Sequence, residues 1–139
     1  MITLLVAVDG SESSARAVHA VINLYRRVVP VDIRLLHVRV VDAVPAAALS
    51  GPKADPEQAF EAGMRALRSA QSLLEQAGFG CTSEVRNGYV PAVIVENAKQ
   101  LHCDAIVMGT RGMGSTADLI GSIARQVISL SELPVMLVK

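Results

Sequence analysis

The stretch "ITLLVAVDGSESS", residues 2–14, decides the fold of this chain. Its first seven residues form an almost uninterrupted apolar run, which is typical of a strand buried on both faces of a parallel sheet. The run ends at Asp9, and the residues that follow supply turn chemistry and candidate N-caps for a helix. We therefore predict a strand that turns directly into a helix, the first unit of an α/β fold.

The alternation of strands and helices continues to the end of the chain. Apolar residues three and four positions apart predict four helices, because this spacing places them on one face of a helix. Further strands are predicted at residues 31–41, 81–88, 104–109 and 134–138. The predicted inner faces of the helices are Val18, Val21, Ile22 and Tyr25; Phe60, Met64, Leu67 and Leu74; Ile94, Ala98 and Leu101; and Ile120, Ile123, Ala124 and Val127.

Capping residues mark the ends of several helices. Asp55 and Pro56 are typical of an N-cap and a first helical position, and Gly78 is placed to end the same helix. Pro91 opens the third helix. The segment "PAAALSGPKAD", residues 45–55, has no periodicity and is a candidate lid or flap.

Strands that alternate with helices imply a parallel sheet with right-handed crossovers. We predict one α/β domain over residues 1–139, a doubly wound five-stranded parallel sheet of order 3-2-1-4-5 with helices on both faces. The first and fourth strands end in the small polar segments "DGS" and "GTRG". In this order the two strands are neighbours, so the switch point, where such folds bind ligands, lies between them.

Composition narrows the class of ligand. Apolar residues make up 51% of the chain but aromatic residues only 3%, so base-stacking platforms for single-stranded nucleic acid are nearly excluded. The 13 Lys and Arg residues balance the 13 Asp and Glu residues, which gives no electrostatic reason for nucleic acid as a partner. The N-terminal apolar run is too short for a signal peptide or a membrane span, so we expect a cytoplasmic protein without a membrane partner.

The segment "MGTRGMGSTADLIGS", residues 108–122, contains four glycines. Backbone N–H groups at a helix N-terminus, which glycine allows a ligand to approach closely, form an anion site, and this favours phosphate binding. Gly121 falls where the fourth helix begins, and Arg111 adds a positive charge that lies near a phosphate or points to water. A loop whose glycines serve only tight turns is the structural alternative.

Other phosphate motifs are absent from the sequence or misplaced in it. No GxxxxGK[ST] sequence is present, which excludes a P-loop. The segment "GMGSTA" matches GxGxx[GA], but the acidic residue about twenty positions on, Glu132, does not end a strand, which disfavours a dinucleotide fingerprint. A flavin site is disfavoured because no aromatic residue is placed to stack on the ring. A receiver domain is disfavoured because its paired acidic residues are missing, and an adenylyl-transferring enzyme is excluded because the chain has no His-x-x-His motif after the first strand.

Asp9 ends a buried strand, where a carboxylate needs a partner. It either caps the first helix together with Ser11 or accepts a hydrogen bond from a sugar or a base, and the residues leave both roles open. The cysteines form no CxxC pair and are expected to be reduced and structural, and the scattered histidines are also expected to be structural. These residues are Cys81, Cys103, His19, His37 and His102.

Taken together, the segments resemble the universal stress protein family over the whole chain. "VAVDGSESSARA" is similar to the first βα segment of the family, and "GS…LPVMLVK" is similar to its usual ending. "GYVPAVIVENAKQLHCDAIVMGTRGMG" is similar to its GxPAxxI…A…DLIVMG stretch, with one extra residue between Gly88 and Pro91. The resemblance implies the sheet order given above and a homodimer formed through the last strand, Pro134 to Val138.

The family includes members that hold ATP, which are marked by the first-strand Asp and a G-x2-G-x9-G-[ST] motif. The resemblance implies that Asp9 contacts the adenosine and that Gly112, with the start of the fourth helix, cradles the phosphates, with Mg²⁺ alongside. Between Gly112 and Gly121 this chain has eight residues where the motif has nine. The implied contacts are Ala7, Asp9, Val38, Met108, Gly109, Gly112, Gly121, Ser122, Ile123 and Ala124, and Arg111 is added for its positive charge.

We therefore expect a stress-response regulator that binds ATP between the first and fourth strands. No nucleophile or general base stands at a defined position, so we expect no catalytic residue, no resident metal and at most slow ATP hydrolysis by a positioned water. The alternative is a nucleotide-free homodimer that acts through protein–protein contacts and keeps its glycine loop for folding. The short loop favours this alternative, as does Glu12, which would repel phosphates unless a divalent cation intervened.

Overall fold

The computed structural model describes residues 1–27, 30–40, 55–111 and 120–139. These residues form five strands and four helices in alternation. The strands are β1 (Ile2–Ala7), β2 (Val31–Val40), β3 (Gly80–Gly88), β4 (Ala105–Gly109) and β5 (Val135–Val138). The helices are α1 (Glu12–Tyr25), α2 (Pro56–Gln76), α3 (Val90–Gln100) and α4 (Ser122–Leu130). The candidate flap at residues 45–55 lies outside the described residues, apart from Asp55.

The strands pair in parallel as one sheet of order β3-β2-β1-β4-β5, which confirms the predicted topology. β1 pairs with β2 along all of Ile2–Ala7 and with β4 on its other side, so it lies in the interior of the sheet. Because the strand order reverses between β1 and β4, the carboxyl ends of these two strands lie side by side at the switch point.

Helices cover both faces of the sheet, as predicted. α1 and α2 pack on one face, the α1/α2 face, and α3 and α4 pack on the other, the α3/α4 face. Alternate residues of β1 point to opposite faces, so that Val6 packs on the α1/α2 face whereas Leu5 and Ala7 pack on the α3/α4 face. Burial on both faces explains why β1 is apolar almost without interruption.

The helix ends follow the predicted capping chemistry in most places. The Asp55 carboxylate accepts a hydrogen bond from the Glu57 N–H, and Gly78, just beyond α2, has a φ of +90°. One prediction is wrong: Ile120 precedes α4 and is 41% exposed, so it is not part of the inner face of that helix. Among the helices of the described residues, none has the length and hydropathy that crossing a bilayer requires.

Candidate functional site

The turn between β1 and α1 forms one wall of the crevice at the switch point. The Ser11 N–H donates to Asp9 Oδ1 at 2.9 Å, and the Asp9 N–H donates to Ser14 Oγ at 3.3 Å. Ser11 is the N-cap of α1, and its hydroxyl accepts from the Ser14 N–H at 3.1 Å. Asp9 therefore helps to build the cap of α1, the first of the two roles that the sequence left open, and it remains partly exposed at the crevice.

The end of β4 forms the opposite wall, and here a glycine is required by packing. A Cβ atom added to Gly109 would lie 2.6 Å from the carbonyl carbon of Ser13, much closer than two such atoms approach. This atom would point to the α1/α2 face, whereas the side chain of Met108 points to the α3/α4 face. The missing side chain of Gly109 is thus explained by the close approach of β4 and α1, without reference to a ligand.

The two ends of the glycine loop, residues 111–120, are held together at its base. The Gly121 N–H donates to the Thr110 carbonyl at 2.6 Å, and the Ser11 hydroxyl donates to the Arg111 carbonyl at 3.3 Å. Gly112 lies outside the described residues, so its predicted phosphate contact stays a prediction. The base of the loop is therefore closed by a hydrogen bond between Thr110 and Gly121, in a chain that has eight residues between Gly112 and Gly121.

The start of α4 follows this loop directly in the chain. Its N-cap is Gly121, which has an extended backbone (φ −65°, ψ 160°) and no side chain with which to cap the helix. The first bond within the helix runs from the Arg125 N–H to the Gly121 carbonyl at 3.1 Å, so the amides of residues 122–124 have no acceptor in their own helix. These three amides are the donors that α4 offers to an anion, because the Gly121 N–H is engaged by Thr110.

The predicted adenine-lining residues share one surface. Val38 and Met108 are buried in the cluster on the α3/α4 face, and Ala7 packs against the same cluster. Ile123 is half-buried against this cluster, whereas Ala124 is 2% exposed inside it. Ala124 therefore offers a ligand only its backbone, and the crevice combines an apolar floor with the polar start of a helix.

Glu12 is an exposed residue in the first turn of α1. Its carboxylate is 3.6 Å from the Arg16 guanidinium on the next turn of α1, and its side chain is 95% exposed. The exposed pairing with Arg16 partly neutralises its charge, which weakens the argument that Glu12 opposes phosphates in the crevice.

Ser13 and Thr110 are site residues that the sequence did not single out. Both are buried, and the Arg111 N–H donates to the Ser13 hydroxyl at 3.3 Å. The Thr110 N–H donates to the carbonyl of Val138 in β5 at 3.0 Å. These contacts join residues that are far apart in the chain, so no local motif could have revealed them.

His37 and the two cysteines are expected from the sequence to be structural. Buried His37 approaches the Val8 carbonyl through Nδ1 at 2.8 Å; a carbonyl only accepts, so Nδ1 carries the proton and the ring has a structural role. Burial raises the pKa of the Cys81 thiol from 9.0 to about 11, with smaller contributions from Glu75 and Asp32. Both cysteines are free, as expected, and burial also raises the pKa of Cys103.

No group of three His, Cys, Asp or Glu side chains among the described residues is placed to hold a metal ion. What the crevice offers is amide donors at the start of α4, the Asp9 carboxylate and an apolar floor, which is a set for binding.

The described residues form a doubly wound five-stranded α/β sheet, in which the carboxyl ends of β1 and β4 meet at the switch point. The model of the Universal stress protein family matches residues 1–139, and the chain belongs to this family. Universal stress protein YxiE of Bacillus subtilis is 28% identical, over 98% of this chain and 97% of its own length. Universal stress protein MJ0531 of Methanocaldococcus jannaschii is 31% identical, over 98% of this chain and 81% of its own length.

Solved structures of the family share the fold. UspA from Lactobacillus plantarum superposes with a TM-score of 0.80 at 23% identity, over 99% of this chain and 97% of that one. A family member from Arabidopsis thaliana with AMP bound gives a TM-score of 0.71 at 25% identity, over 100% and 92% of the two chains. The universal stress protein from Archaeoglobus fulgidus in complex with dAMP gives 0.72 at 22% identity, over 100% and 98%.

Proposed function

We propose that this chain binds ATP, accompanied by Mg²⁺, in the crevice between the carboxyl ends of β1 and β4, and that its occupancy regulates a cytoplasmic stress response. The observation that carries the proposal is the start of α4. The amides of residues 122–124 have no acceptor in their own helix, and Gly121 has no side chain that could cap them. Amides in this arrangement, together with the helix dipole, favour a phosphate group.

The other parts of a nucleotide match the rest of the crevice. Ala7, Val38 and Met108 form an apolar surface on which an adenine ring can lie. Asp9 is partly exposed at the end of β1, where its carboxylate can accept a hydrogen bond from ribose. The relatives from Arabidopsis thaliana and Archaeoglobus fulgidus hold AMP and dAMP, which supports an adenine nucleotide as the ligand class here.

The proposed role is binding, with at most slow hydrolysis. Among the described residues, the side chain at the start of α4, where the phosphates are proposed to bind, is that of Ser122, which is small and is not a general base. Hydrolysis would therefore depend on a water positioned by the loop, and ATP would act mainly as a signal whose occupancy is read by a partner.

We also propose that the chain forms a homodimer through residues 134–138. In the described sheet β5 is an edge strand of four half-buried apolar residues, and such an edge favours pairing with another strand. Ile128 and Leu130 of α4, the helix before β5, are 46% and 52% exposed, which adds apolar surface on the same side.

A nucleotide-free dimer that acts by protein–protein contact is the second candidate. One observation favours it: Gly109 is required by the packing of α1, so at least this glycine of the segment 108–122 does not need a ligand to explain it. The two candidates differ in one measurable property, the binding of nucleotide.

Isothermal titration calorimetry with Mg-ATP tests the proposal, alongside a search for nucleotide released when the purified protein is denatured. Ser122→Asp places a carboxylate at the start of α4 and should weaken Mg-ATP binding at least tenfold, roughly 1.4 kcal/mol, by repelling the phosphates. Ser129→Asp, at the far and exposed end of the same helix, is the matched control and should bind as the wild type does.

AMP provides a further arm of this experiment. If phosphates contact α4, Mg-ATP binds more tightly than AMP and loses more affinity than AMP in Ser122→Asp, because ATP carries more phosphate charge. A flat titration with no released nucleotide would favour the nucleotide-free dimer. Wild-type affinity in Ser122→Asp would move the site away from α4.

A further inference from the structure

Ser13 lies where three elements meet. It is 3% exposed in the first turn of α1, on the α1/α2 face of the sheet. Its hydroxyl accepts from the Arg111 N–H at 3.3 Å and donates to the Val138 carbonyl at 3.1 Å. A single hydroxyl thus joins the first residue of the glycine loop to the last residue of β5.

The Val138 carbonyl is shared between two donors. It also accepts from the Thr110 N–H at 3.0 Å, and the Thr110 carbonyl in turn accepts from the Gly121 N–H at 2.6 Å. The end of β5 is therefore connected to both ends of the glycine loop as well as to α1. One residue farther on, Arg16 Nε donates to the Lys139 carbonyl at 2.7 Å, which holds the last residue against α1.

Ser13 has little freedom to move without affecting these partners. Gly109 packs so closely against it that even a methyl group would not fit between β4 and α1. Close-packed interiors transmit displacements to their neighbours, because they contain no free volume that could absorb them. A shift of Arg111 must therefore either carry Ser13 along or break the hydrogen bond between them.

We propose that Ser13 is a positioning residue that couples nucleotide binding at the start of α4 to the C-terminal edge strand β5. This inference rests on the proposed nucleotide binding: phosphates drawn to α4 shift the Arg111 amide, and the Ser13 hydroxyl passes the shift to the Val138 carbonyl. Coupling between two binding sites is reciprocal. If nucleotide changes the affinity of β5 for a second copy of this chain by some factor, that second copy changes the affinity for nucleotide by the same factor.

Hydrogen exchange measured by mass spectrometry on the full chain, with and without saturating Mg-ATP, tests the coupling. In the wild type we expect slower exchange in the peptide over residues 108–124 and at least threefold slower exchange in the peptide over residues 134–139. In Ser13→Ala the first peptide still responds, whereas the response of the second falls to less than half.

Ser14→Ala is the matched control for this test. It removes a hydroxyl from the same turn, but Ser14 Oγ donates to the Ser11 carbonyl and accepts from the Asp9 N–H, and neither bond reaches Arg111 or Val138. Whatever this variant does to affinity, saturating Mg-ATP should still slow exchange in residues 134–139.

Each outcome decides the inference. The coupling is overturned if Mg-ATP does not change exchange in residues 134–139 of the wild type, or if the response of these residues is undiminished in Ser13→Ala. In both cases the proposed function still stands, provided that calorimetry shows binding. A flat titration of the wild type overturns both. If Ser13→Ala does not fold, Ser13→Cys replaces it with the same expectation, because a thiol is only a weak donor and acceptor.

Discussion

Two helices, α1 and α4, begin at the same edge of the sheet and on opposite faces of it, and the chain treats their first turns differently. The first turn of α1 has a side-chain cap, since the Ser11 hydroxyl accepts from the Ser14 N–H, and the Asp9 carboxylate accepts from the Ser11 N–H just before the helix. The start of α4 has glycine as its N-cap, so its cap supplies no side-chain acceptor. An anion at the start of α4 would therefore not compete with a capping side chain for the amides of the first turn.

The glycines of the segment 108–122 divide in the same way. Gly109 is needed because α1 packs against it, whereas Gly121 has a backbone conformation that any residue can adopt. Gly121 is the N-cap of α4, where it leaves the first turn without a side-chain acceptor. The structural interpretation of this segment thus applies at Gly109, whereas the functional one, proposed above, concerns Gly121.

The strongest way to break this comparison is to separate β4 from α1. Gly109→Ala places a methyl group 2.6 Å from the Ser13 carbonyl carbon, so we expect the free energy of unfolding to fall by about 3 kcal/mol in urea denaturation. Gly80→Ala is the control, because its added Cβ finds its nearest neighbour at 3.6 Å, and it should change stability by less than about 0.5 kcal/mol. Similar losses in both variants would contradict the contact between Gly109 and Ser13.

A smaller effect is expected from removing the cap of α1. Ser11→Ala deletes the acceptor for the Ser14 N–H and the donor to the Arg111 carbonyl, which should cost about 1 to 2 kcal/mol. Thermal unfolding checks this against Ser129→Ala, a change at an exposed position of α4 that we expect to be within about 0.5 kcal/mol of the wild type. A neutral Ser11→Ala would mean that α1 does not depend on its own cap.

The comparison is sharpened by giving α4 the cap that α1 has. In Gly121→Ser the new hydroxyl can accept from an amide of the first turn, which should raise stability by a few tenths of a kcal/mol. The same bond competes with phosphate, so affinity for Mg-ATP should fall about fivefold, the equivalent of roughly 1 kcal/mol for one hydrogen bond. Calorimetry and urea denaturation measure the two effects, and a gain in both would show that this amide does not serve the nucleotide.

The smallest effect is expected at the opposite, amino-terminal edge of the sheet. Cys81 lies near the start of β3, and its pKa of about 11 leaves little thiolate at pH 8, so iodoacetamide should react with it on the order of tenfold more slowly than with free cysteine. The neutral thiol favours the folded state fully below pH 9, and this contribution is lost as the pH rises through 11. Mg-ATP should leave the alkylation rate unchanged; a large change would place the ligand elsewhere.

Local patterns were sufficient to predict the elements. The apolar run that became β1, the spacing of Val18, Val21 and Ile22 in α1, and the Asp55 cap of α2 each depend on neighbours in sequence, and the structure has all of them. Ile120 fits the spacing of α4, but the helix begins only at Ser122, because spacing does not specify where a first turn closes.

For the crevice, the sequence by itself determined which residue types arrive at the carboxyl ends of β1 and β4, since the order of strands and helices follows from local periodicity. Only the tertiary structure decided what each one does there. The close approach of Gly109 to Ser13, the shared carbonyl of Val138 and the engaged amide of Gly121 all depend on strand register and helix packing. These contacts join residues that are distant in the chain, and their energies come from side chains and amides that meet only when the sheet is assembled.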